Sequence, residues 1–251
     1  MSQIISRVQA ESFPEQFSSA PSADSHLGEF SDVRVFDAEA PKPLRSRRET
    51  KVNGIRRRWE RERRRRKVGR AYDMALEIAR EVPCGSDILD VGCGNGFITH
   101  HLSAMLGGKA LGIDLGVGPE APIDYRRYDG ANFPLIDNSV DAVLLCYVLH
   151  HVQDVSVVLN EVRRVLRTGG VAVVYEDIPH SLWDKGVCWI HNQQWRRRTG
   201  PCKFRQEHEW RMMLSSFDLE IVIERRLSRW RNLTHPVARR LFVLRLPSKI
   251  S

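Results

Sequence analysis

A glycine-rich segment flanked by acidic residues is the part of the sequence whose residue types best suit ligand binding. The segment ILDVGCGNGF places three glycines directly after an apolar run; these are Gly92, Gly94 and Gly96. Because glycine has no Cβ and readily adopts positive φ, a bulky polar ligand can lie almost against such a backbone. Asp90 precedes the glycines, and Asp114 follows them after a second apolar run. Carboxylates accept hydrogen bonds, so the segment predicts a ligand that carries hydroxyl or amino groups.

Two nucleotide-binding motifs were compared with this segment. The dinucleotide motif Gly-x-Gly-x-x-Gly has an acid about 20 residues further on, and Asp114 would fit that acid. However, Phe97 stands where the third glycine is required. A phosphate-binding P-loop needs a Lys followed by Ser or Thr, and the segment lacks that pair. The segment therefore matches neither motif, and the glycine pattern alone does not identify the ligand.

The surrounding sequence alternates between strand and helix patterns. An apolar strand ends at Asp90, and a helix through Ile98, Leu102 and Leu106 follows the glycines. A second strand, Lys109 to Ile113, again ends in an acid. This order predicts an α/β fold with a doubly wound sheet, whose ligands bind at the carboxyl ends of the strands.

The later elements continue the alternation and then change character. Strands are predicted at Val140 to Tyr147 and Val171 to Tyr175, with a helix over Asp154 to Leu166 between them. After Pro179 a Trp- and Arg-rich stretch follows. Beyond it the sequence predicts a helix over Glu207 to Leu214 and two closing strands, Leu219 to Glu224 and Leu241 to Leu246.

Four motifs together resemble the class I S-adenosylmethionine-dependent methyltransferases, in particular the branch that includes quinone-biosynthesis enzymes. The motifs are LDVGCGNG, LGIDL, YDGANFPLIDNSVDAVLLCYVLHHV and LNEVRRVLRTGG. The resemblance runs from Tyr72 to Tyr175 and continues weakly to Leu246. It implies a Rossmann-like sheet of seven strands, mostly parallel with an antiparallel last strand, and an N-terminal helical lid.

The resemblance also implies S-adenosyl-L-methionine as the cofactor. The residues that it assigns to the cofactor are Asp90, Gly92, Cys93, Gly94, Asn95, Asp114, Leu115, Asp129, Gly130 and Cys146. Gly92 and Gly94 would pass beneath the amino-acid tail and ribose, Asp114 would accept from the ribose hydroxyls, and Asp129 with Gly130 would flank the adenine. Any one Asp taken alone is better explained as a helix cap, but the placement of all three after successive strands favours the cofactor. The cysteines are better explained as small packing residues than as nucleophiles.

One stretch departs from the family pattern. Between Asp114 and Asp129 the family fits a helix and a strand, but LGVGPEAPIDYRRY contains two glycines and two prolines. The sequence therefore predicts that the helix is missing there and that the adenine side of the site is more open.

The acceptor is predicted to be a small molecule that approaches over the ends of the fourth and fifth strands. His151 is the predicted general base and Glu176 the predicted acceptor-orienting group, because both follow these strands. Two alternatives stay open. His150 and His151 can be polar residues at the start of a helix, and the acceptor can react through positioning alone.

Basic residues are concentrated in one segment of a chain with a net charge of +8. Arg45 to Arg70 holds fourteen Lys and Arg and three Glu, a local +11, so the rest of the chain sums to 8 − 11 = −3. An Arg-rich helix can bind nucleic acid, with Trp59 stacking on a base. We favour instead a solvated lid helix held by Glu–Arg pairs and anchored through Trp59. A noncatalytic cofactor-binding partner subunit and a thiol or metalloid methyltransferase are further alternatives.

The domain organisation predicted is an arm over residues 1–50, disordered or loosely docked, and one methyltransferase domain over residues 51–251. This domain begins with the basic helix, which Gly69 divides from a second helix, and has an insert at about 178–205. The five cysteines and nine histidines show no spacing typical of a metal site, so no metal is predicted. Without a membrane-spanning run or a leader pattern, the sequence favours a cytoplasmic protein with no membrane insertion.

Overall fold

The computed structural model of the protein describes residues 47–116, 118–232 and 235–247. Within these residues one sheet of seven strands is formed. The strands are β1 (Ile88–Val91), β2 (Ala110–Asp114), β3 (Asp124–Arg127), β4 (Val140–Cys146), β5 (Leu166–Asp177), β6 (Glu220–Leu227) and β7 (Arg239–Arg245). Their order is β3-β2-β1-β4-β5-β7-β6, and β7 alone runs antiparallel to its neighbours in this sheet. The predicted fold class is confirmed.

Five α-helices are present in the described residues. They are α1 (Arg47–Ile78), α2 (Phe97–Leu106), α3 (Val155–Val165), α4 (Leu182–Thr199) and α5 (Glu207–Ser215). The helix predicted after the glycine loop is α2, and the helix predicted before β5 is α3. Both predictions are confirmed. A short 3₁₀ turn, Arg229–Arg231, connects β6 to β7.

The N-terminal helix differs from its prediction in two respects. Gly69 does not divide it, because α1 runs without a break from Arg47 to Ile78. A single helical glycine costs only about 0.5–1 kcal/mol relative to alanine, and Arg, Lys, Glu and Ala on both sides favour the helix. The helix also begins at Arg47, earlier than the start near Asn53 that the sequence suggested. Residues 1–46 lie outside the described residues.

The sheet is covered on both faces by apolar helix surfaces. On one face α3 packs Val158, Leu159 and Val162 against the strands, and α5 adds Trp210 and Leu214. On the other face the core residues come from α1, α2 and the strands; the helical ones are Ala75, Ile78, Leu102 and Leu106. Because both faces are covered, the central strands β1 and β4 are buried along nearly their whole length, whereas the edge strands β3 and β6 are partly exposed.

The connection between β2 and β3 contains no helix in its described residues, 115–116 and 118–123. This was predicted from its glycines and prolines. The connection folds back over the glycine loop, where the carbonyl of Asn95 accepts hydrogen bonds from the N–H groups of Glu120 (3.1 Å) and Ala121 (3.0 Å). Lys67 of α1 reaches Glu120 at 2.7 Å. The space left by the missing helix is therefore partly occupied by this connection and by α1.

The insert after β5 forms α4, a helix of 18 residues. Ser181 caps its start in a reciprocal arrangement with Asp184, which is fully buried. Most large apolar side chains of α4 remain exposed, among them Trp183, Trp189 and Ile190. In the described part of the chain, no helix is long and apolar enough to cross a bilayer.

Candidate functional site

The glycine loop lies at the carboxyl end of β1, as predicted. Gly92, Gly94 and Gly96 all have positive φ, at 68°, 54° and 74°. A Cβ on Gly92 would lie 2.0 Å from Cγ2 of Val148, whereas a Cβ on Gly94 would meet no atom closer than 4.0 Å. Gly92 is therefore required by the packing of the protein itself, and Gly94 presents bare backbone to open space.

Asp114 braces the loop from the end of β2. Its carboxylate accepts hydrogen bonds from the N–H of Gly94 at 2.8 Å and from the N–H of Gly116 at 3.0 Å. A carboxylate has about four lone-pair sites, so two contacts leave room for further donors. The structure thus brings Gly94 and Asp114 together, and it places the acid at the carboxyl edge of the sheet.

Asp90 is an internal residue rather than a surface contact. Its side chain is only 2% exposed, and it accepts a hydrogen bond of 2.5 Å from the hydroxyl of Thr99 on α2. Burial raises the pKa of this carboxyl from 3.8 to about 7, although the Thr99 hydrogen bond acts in the opposite direction. Asp90 therefore connects the strand before the loop to the helix after it.

The two cysteines assigned to the site remain protonated thiols. Burial raises the pKa of Cys93 to about 12, and it raises the pKa of Cys146 well above the usual value. The Sγ of Cys93 lies 2.7 Å from the position that a Cβ on Gly112 would occupy. A thiol with a raised pKa is a poor nucleophile, so both cysteines serve packing.

The carboxylate of Asp129 forms hydrogen bonds within its own loop. It accepts hydrogen bonds from the N–H of Ala131 (2.8 Å) and from both the N–H (2.7 Å) and the side-chain amide (2.8 Å) of Asn132. These bonds, with the Asn132 side chain first, lower the pKa of Asp129 to about 2. Next to it, Gly130 has φ 90° and lies against Leu115, which is 47% exposed. Leu115 and Gly130 thus form an apolar surface beyond β2.

A cavity of about 250 Å³ begins at the glycine loop. The loop contributes Cys93, Asn95 and Gly96, and the ends of β4 and β5 contribute Tyr147 and Tyr175. The α1 residues in the wall are Lys67, Arg70, Ala71, Asp73, Met74 and Glu77. Asp114 and Asp129 are not part of this wall, so the predicted ribose and adenine contacts lie outside the cavity, on the more open side of the loop.

The comparison with protein families agrees with this arrangement. Residues 89–174, from β1 to β5, match the family described as methyltransferase domain. The match begins at the strand before the glycine loop and includes Asp114 and Asp129. This part of the chain is therefore similar to methyltransferase domains.

Curated proteins similar to this chain include demethylmenaquinone methyltransferases. The one from Staphylococcus haemolyticus (strain JCSC1435) is 33% identical over 158 residues, which cover 55% of this chain and 63% of the relative. The one from Staphylococcus aureus (strain JH9) is 38% identical over 147 residues, or 50% and 58% of the two chains. This chain therefore spans less than two thirds of the length of either relative.

A solved structure of a SAM-dependent methyltransferase from Methanosarcina mazei has a similar fold. The TM-score is 0.55 at 18% identity, with 68% of this chain and 97% of the other covered. At that identity the likeness concerns the fold alone.

The two residues predicted for catalysis, His151 and Glu176, are not part of the cavity wall. Glu176 is fully buried; one carboxylate oxygen accepts from the N–H of Leu149 at 2.8 Å, and the other lies 2.7 Å from Nδ1 of His150. Burial, followed by the charges of His150 and His191, lowers the pKa of His151 to about 3. Each carboxylate oxygen of Glu176 thus already has one partner within the protein, and His151 is a weakly basic imidazole.

Sequence reasoning missed several residues of the cavity wall. Tyr147 lies in one of the four motifs but was given no role there, Tyr175 lies near the end of β5, and Arg239 comes from the distant strand β7. Tyr147 has φ 60°, a conformation uncommon for such a side chain, and the Arg239 guanidinium lies 5.6 Å from its ring centre. Only the register of β7 against β5 brings Arg239 to this edge.

No metal site was predicted, because the spacing of His and Cys in the sequence is not typical of one. The fold nevertheless brings together His150, His151 and His191, with one ring nitrogen of each within 4.8 Å of the others. His191 lies on α4, 40 residues from His151, so its sequence position carried no signal.

Proposed function

We propose that the protein is an S-adenosyl-L-methionine-dependent methyltransferase that acts on a small-molecule acceptor. The observation that carries this proposal is the bare backbone at Gly94, held in place by Asp114 at the carboxyl edge of the sheet. A sulfonium cofactor offers a ribose diol, an adenine and an amino-acid tail, and it has no phosphate. Such a ligand needs close backbone approach and carboxylate acceptors, which are the features found here. The match to the methyltransferase domain family supports the same reading.

In this proposal the loop carries the amino-acid tail and the ribose, with Asp114 accepting from the hydroxyls. The adenine lies near the surface formed by Leu115 and Gly130. The carboxylate of Asp129 already has three hydrogen bonds in its own turn, so we assign it to shaping that turn. The cavity, which begins at Cys93 to Gly96, is where the reactive end of the cofactor meets the acceptor.

Methyl transfer from a sulfonium is an in-line displacement in which the cofactor supplies the reactive group. The protein has to orient the acceptor and exclude water, and good orientation alone accelerates such reactions greatly. His151 and Glu176 lie outside the cavity wall, and a pKa of about 3 makes His151 a poor base at neutral pH. We therefore propose that transfer depends on positioning of the acceptor. Asp73 and Glu77 are the carboxylates in the cavity wall that can orient it.

The cavity wall suits a flat, mostly apolar acceptor. Tyr147, Tyr175 and Met74 supply apolar surface, and Arg70 and Arg239 supply positive charge. The two staphylococcal relatives are named as demethylmenaquinone methyltransferases. We extend this to the chain as a proposal, namely that the acceptor is a quinone-like or other aromatic small molecule with an anionic or hydroxyl group.

Nucleic acid is the second candidate acceptor, because Trp59 is 69% exposed on the Arg-rich helix. This corrects the expectation that Trp59 anchors α1 to the domain. The expected Glu–Arg pairing is present in part: Arg66 pairs with Glu62 at 3.0 Å and Arg56 with Glu60 at 2.9 Å. Since such pairs stabilise a solvated helix, we continue to favour the small-molecule acceptor.

The experiment for the cofactor is isothermal titration of the full chain with S-adenosylmethionine and with its demethylated product, S-adenosylhomocysteine. We expect saturable binding of both, with dissociation constants in the micromolar range. NAD is the matched control, because its fingerprint fails at Phe97. Saturable binding of NAD together with no heat from either sulfur compound would refute the proposal. Methyl transfer is then assayed on demethylated quinols and on tRNA in parallel.

A further inference from the structure

Three histidines from two separate segments meet at the edge of the sheet beside the cavity. His150 and His151 follow β4, and His191 lies in the middle of α4. One ring nitrogen of each lies within 4.8 Å of the others. The rings are surrounded by aromatic side chains: Phe204 stacks on His150 at a centroid distance of 4.7 Å, and Trp195 lies 5.3 Å from His151.

The distances within this histidine cluster fit coordination of one ion. Nε2 of His151 and Nε2 of His191 are 3.3 Å apart. Two nitrogens bound tetrahedrally to Zn²⁺ at about 2.0–2.1 Å each would be about 3.3–3.4 Å apart. The separation in the protein is therefore already that of two ligands of one metal ion.

The third histidine supplies a nitrogen that the protein itself does not use. The side chain of His150 is 1% exposed, and its Nδ1 is taken by Glu176 at 2.7 Å. Its Nε2 is buried and has no hydrogen-bond partner among the described residues. A buried polar atom without a partner costs free energy, and coordination of a metal would remove that cost.

The other nitrogens have the partners that metal-binding histidines usually have. A metal-bound imidazole commonly donates its second N–H to a carboxylate or another oxygen, which fixes the ring and raises its basicity. Here Glu176 accepts from Nδ1 of His150, and the hydroxyl of Thr199 lies 3.1 Å from Nδ1 of His151. In both cases Nε2 remains for the metal.

The contact between the rings of His151 and His191 can also be explained without a metal. The simpler alternative is a hydrogen bond between the two Nε2 atoms, which leaves Nε2 of His150 without a partner.

We propose that Nε2 of His150, His151 and His191 bind one divalent transition metal ion of the zinc class. Imidazole ligands suit this class of ion. Cys202 is not assigned as a ligand, because its Sγ lies 3.4 Å from Nδ1 of His151, on the side of the ring away from the shared Nε2 atoms. Three protein ligands leave a fourth position for water or a small molecule, as in catalytic rather than structural zinc sites.

Such an ion joins α4 to the end of β4. The helix is otherwise held at its start by Asp184, with contacts to Arg229 and Ala238 at 3.3 Å. On the far side of the cluster, the ring of His191 lies 5.1 Å from that of His235. His235 contacts Asp177 at 2.8 Å, and Asp177 contacts Arg239 of the cavity wall at 3.1 Å. The metal would thus hold the insert in place beside the acceptor cavity.

The test is metal binding by the untagged full chain, after removal of metals with a chelator and without any methyl-transfer substrate. Titration with Zn²⁺ against a chromophoric competitor should give one equivalent per chain. Co²⁺ should give the intense visible absorption of a four-coordinate site. His191→Gln should lose the Co²⁺ absorption and weaken Zn²⁺ binding at least 100-fold, whereas His208→Gln, on an exposed residue of α5, should bind as the unmodified chain does. Circular dichroism checks that both variants are folded.

A second variant tests the hydrogen bond behind the ligand. Thr199→Val removes the hydroxyl that contacts Nδ1 of His151 without changing the ligand set, and it should weaken Zn²⁺ binding about 10-fold. Cys202→Ser should leave Zn²⁺ binding unchanged. The proposal is overturned if the unmodified chain takes up no stoichiometric Zn²⁺, if folded His191→Gln binds like the unmodified chain, or if Cys202→Ser abolishes binding. Because no cofactor is used, these outcomes are independent of the methyltransferase proposal.

Discussion

Asp114 combines two tasks at the level of a single residue. It holds the N–H of Gly94 and, in the proposed complex, it accepts from the ribose. Asp114→Ala removes a charged acceptor worth roughly 1.5–3 kcal/mol, which corresponds to about a 10- to 100-fold loss of S-adenosylmethionine affinity. Isothermal titration measures this loss.

Two variants separate the tasks of Asp114. Asp114→Asn keeps an oxygen for Gly94 but loses the charge, so we expect a smaller loss of affinity than for Asp114→Ala. Asp124→Ala removes an exposed carboxylate at the start of β3, away from the carboxyl edge, and should not change binding. Equal affinity in all three variants would place the ribose contact elsewhere.

Asp90 makes the stability of the protein depend on pH. The pKa of its carboxyl is about 7 in the folded state, against 3.8 as the ordinary value. Between these values the folded chain holds a proton that the unfolded chain has lost, so this residue lowers the free energy of unfolding as pH rises from about 4 to about 7. At about 1.4 kcal/mol per pKa unit, the effect is on the order of 4 kcal/mol.

Asp90→Asn tests this effect through the change in the free energy of unfolding with pH, not through its value at one pH. Urea unfolding at pH 5 and at pH 8 should show a smaller decrease in the free energy of unfolding for Asp90→Asn than for the unmodified chain. Thr99→Val removes the hydroxyl that donates to Asp90 and should keep a decrease at least as large as that of the unmodified chain. An unchanged decrease in Asp90→Asn would contradict the assignment.

At the level of elements, two glycines of the same loop are needed for different reasons. Gly92 is required by packing within the protein, and Gly94 by the proposed ligand. An alanine at residue 92 or 94 carries the strain of positive φ, roughly 1–2 kcal/mol. Only at residue 92 does the new Cβ also collide, at 2.0 Å from Val148. We therefore expect Gly92→Ala to unfold at a lower urea concentration than Gly94→Ala.

For cofactor affinity, measured per folded molecule, we expect the opposite order: Gly94→Ala should lose more than Gly92→Ala. Gly94→Ala fills the space where the ligand approaches the backbone, and we expect at least a 10-fold loss of S-adenosylmethionine affinity while the fold is retained. Gly85→Ala is the matched control, because it has φ 79° with no atom within 4 Å of its Cβ position. If Gly94→Ala binds as well as Gly85→Ala, the ligand does not lie over this backbone.

At the level of the whole molecule, the charge distribution allows a test of the acceptor class. The net charge of +8 arises from one segment, most of which belongs to α1. The double variant Arg63→Glu and Arg65→Glu changes the exposed surface of this helix. We expect the S-adenosylmethionine affinity to remain within about twofold, since neither side chain lies in the cavity wall.

Binding to tRNA, measured at several salt concentrations, completes that test. A small-molecule enzyme should bind tRNA weakly, and reversal of the two charges should have little effect on turnover of its acceptor. Tight binding that falls steeply with salt and disappears in the double variant would favour the nucleic-acid alternative, because each neutralised phosphate contributes to the salt slope.

The sequence by itself determined the order of the core elements and the glycine loop. Apolar runs that end in Asp90 and Asp114 can be recognised because strands buried on both faces are continuously apolar. The lack of a helix in the described residues between β2 and β3 was also predicted, since glycines and prolines disfavour one. The break at Gly69 was wrongly predicted, because one glycine costs less than the flanking helix formers contribute.

Only the tertiary structure decided which distant side chains share a site. Arg239 reaches the cavity through the antiparallel pairing of β7 with β5, and that register is not encoded in local pattern. His191 meets His150 and His151 because α4 returns over the end of β4. Side chains on separate elements are brought together by packing, whereas motifs and periodicity report only on neighbours along the chain. For the same reason, the burial that lowers the pKa of His151 and raises that of Asp90 could not be predicted from their positions in the sequence.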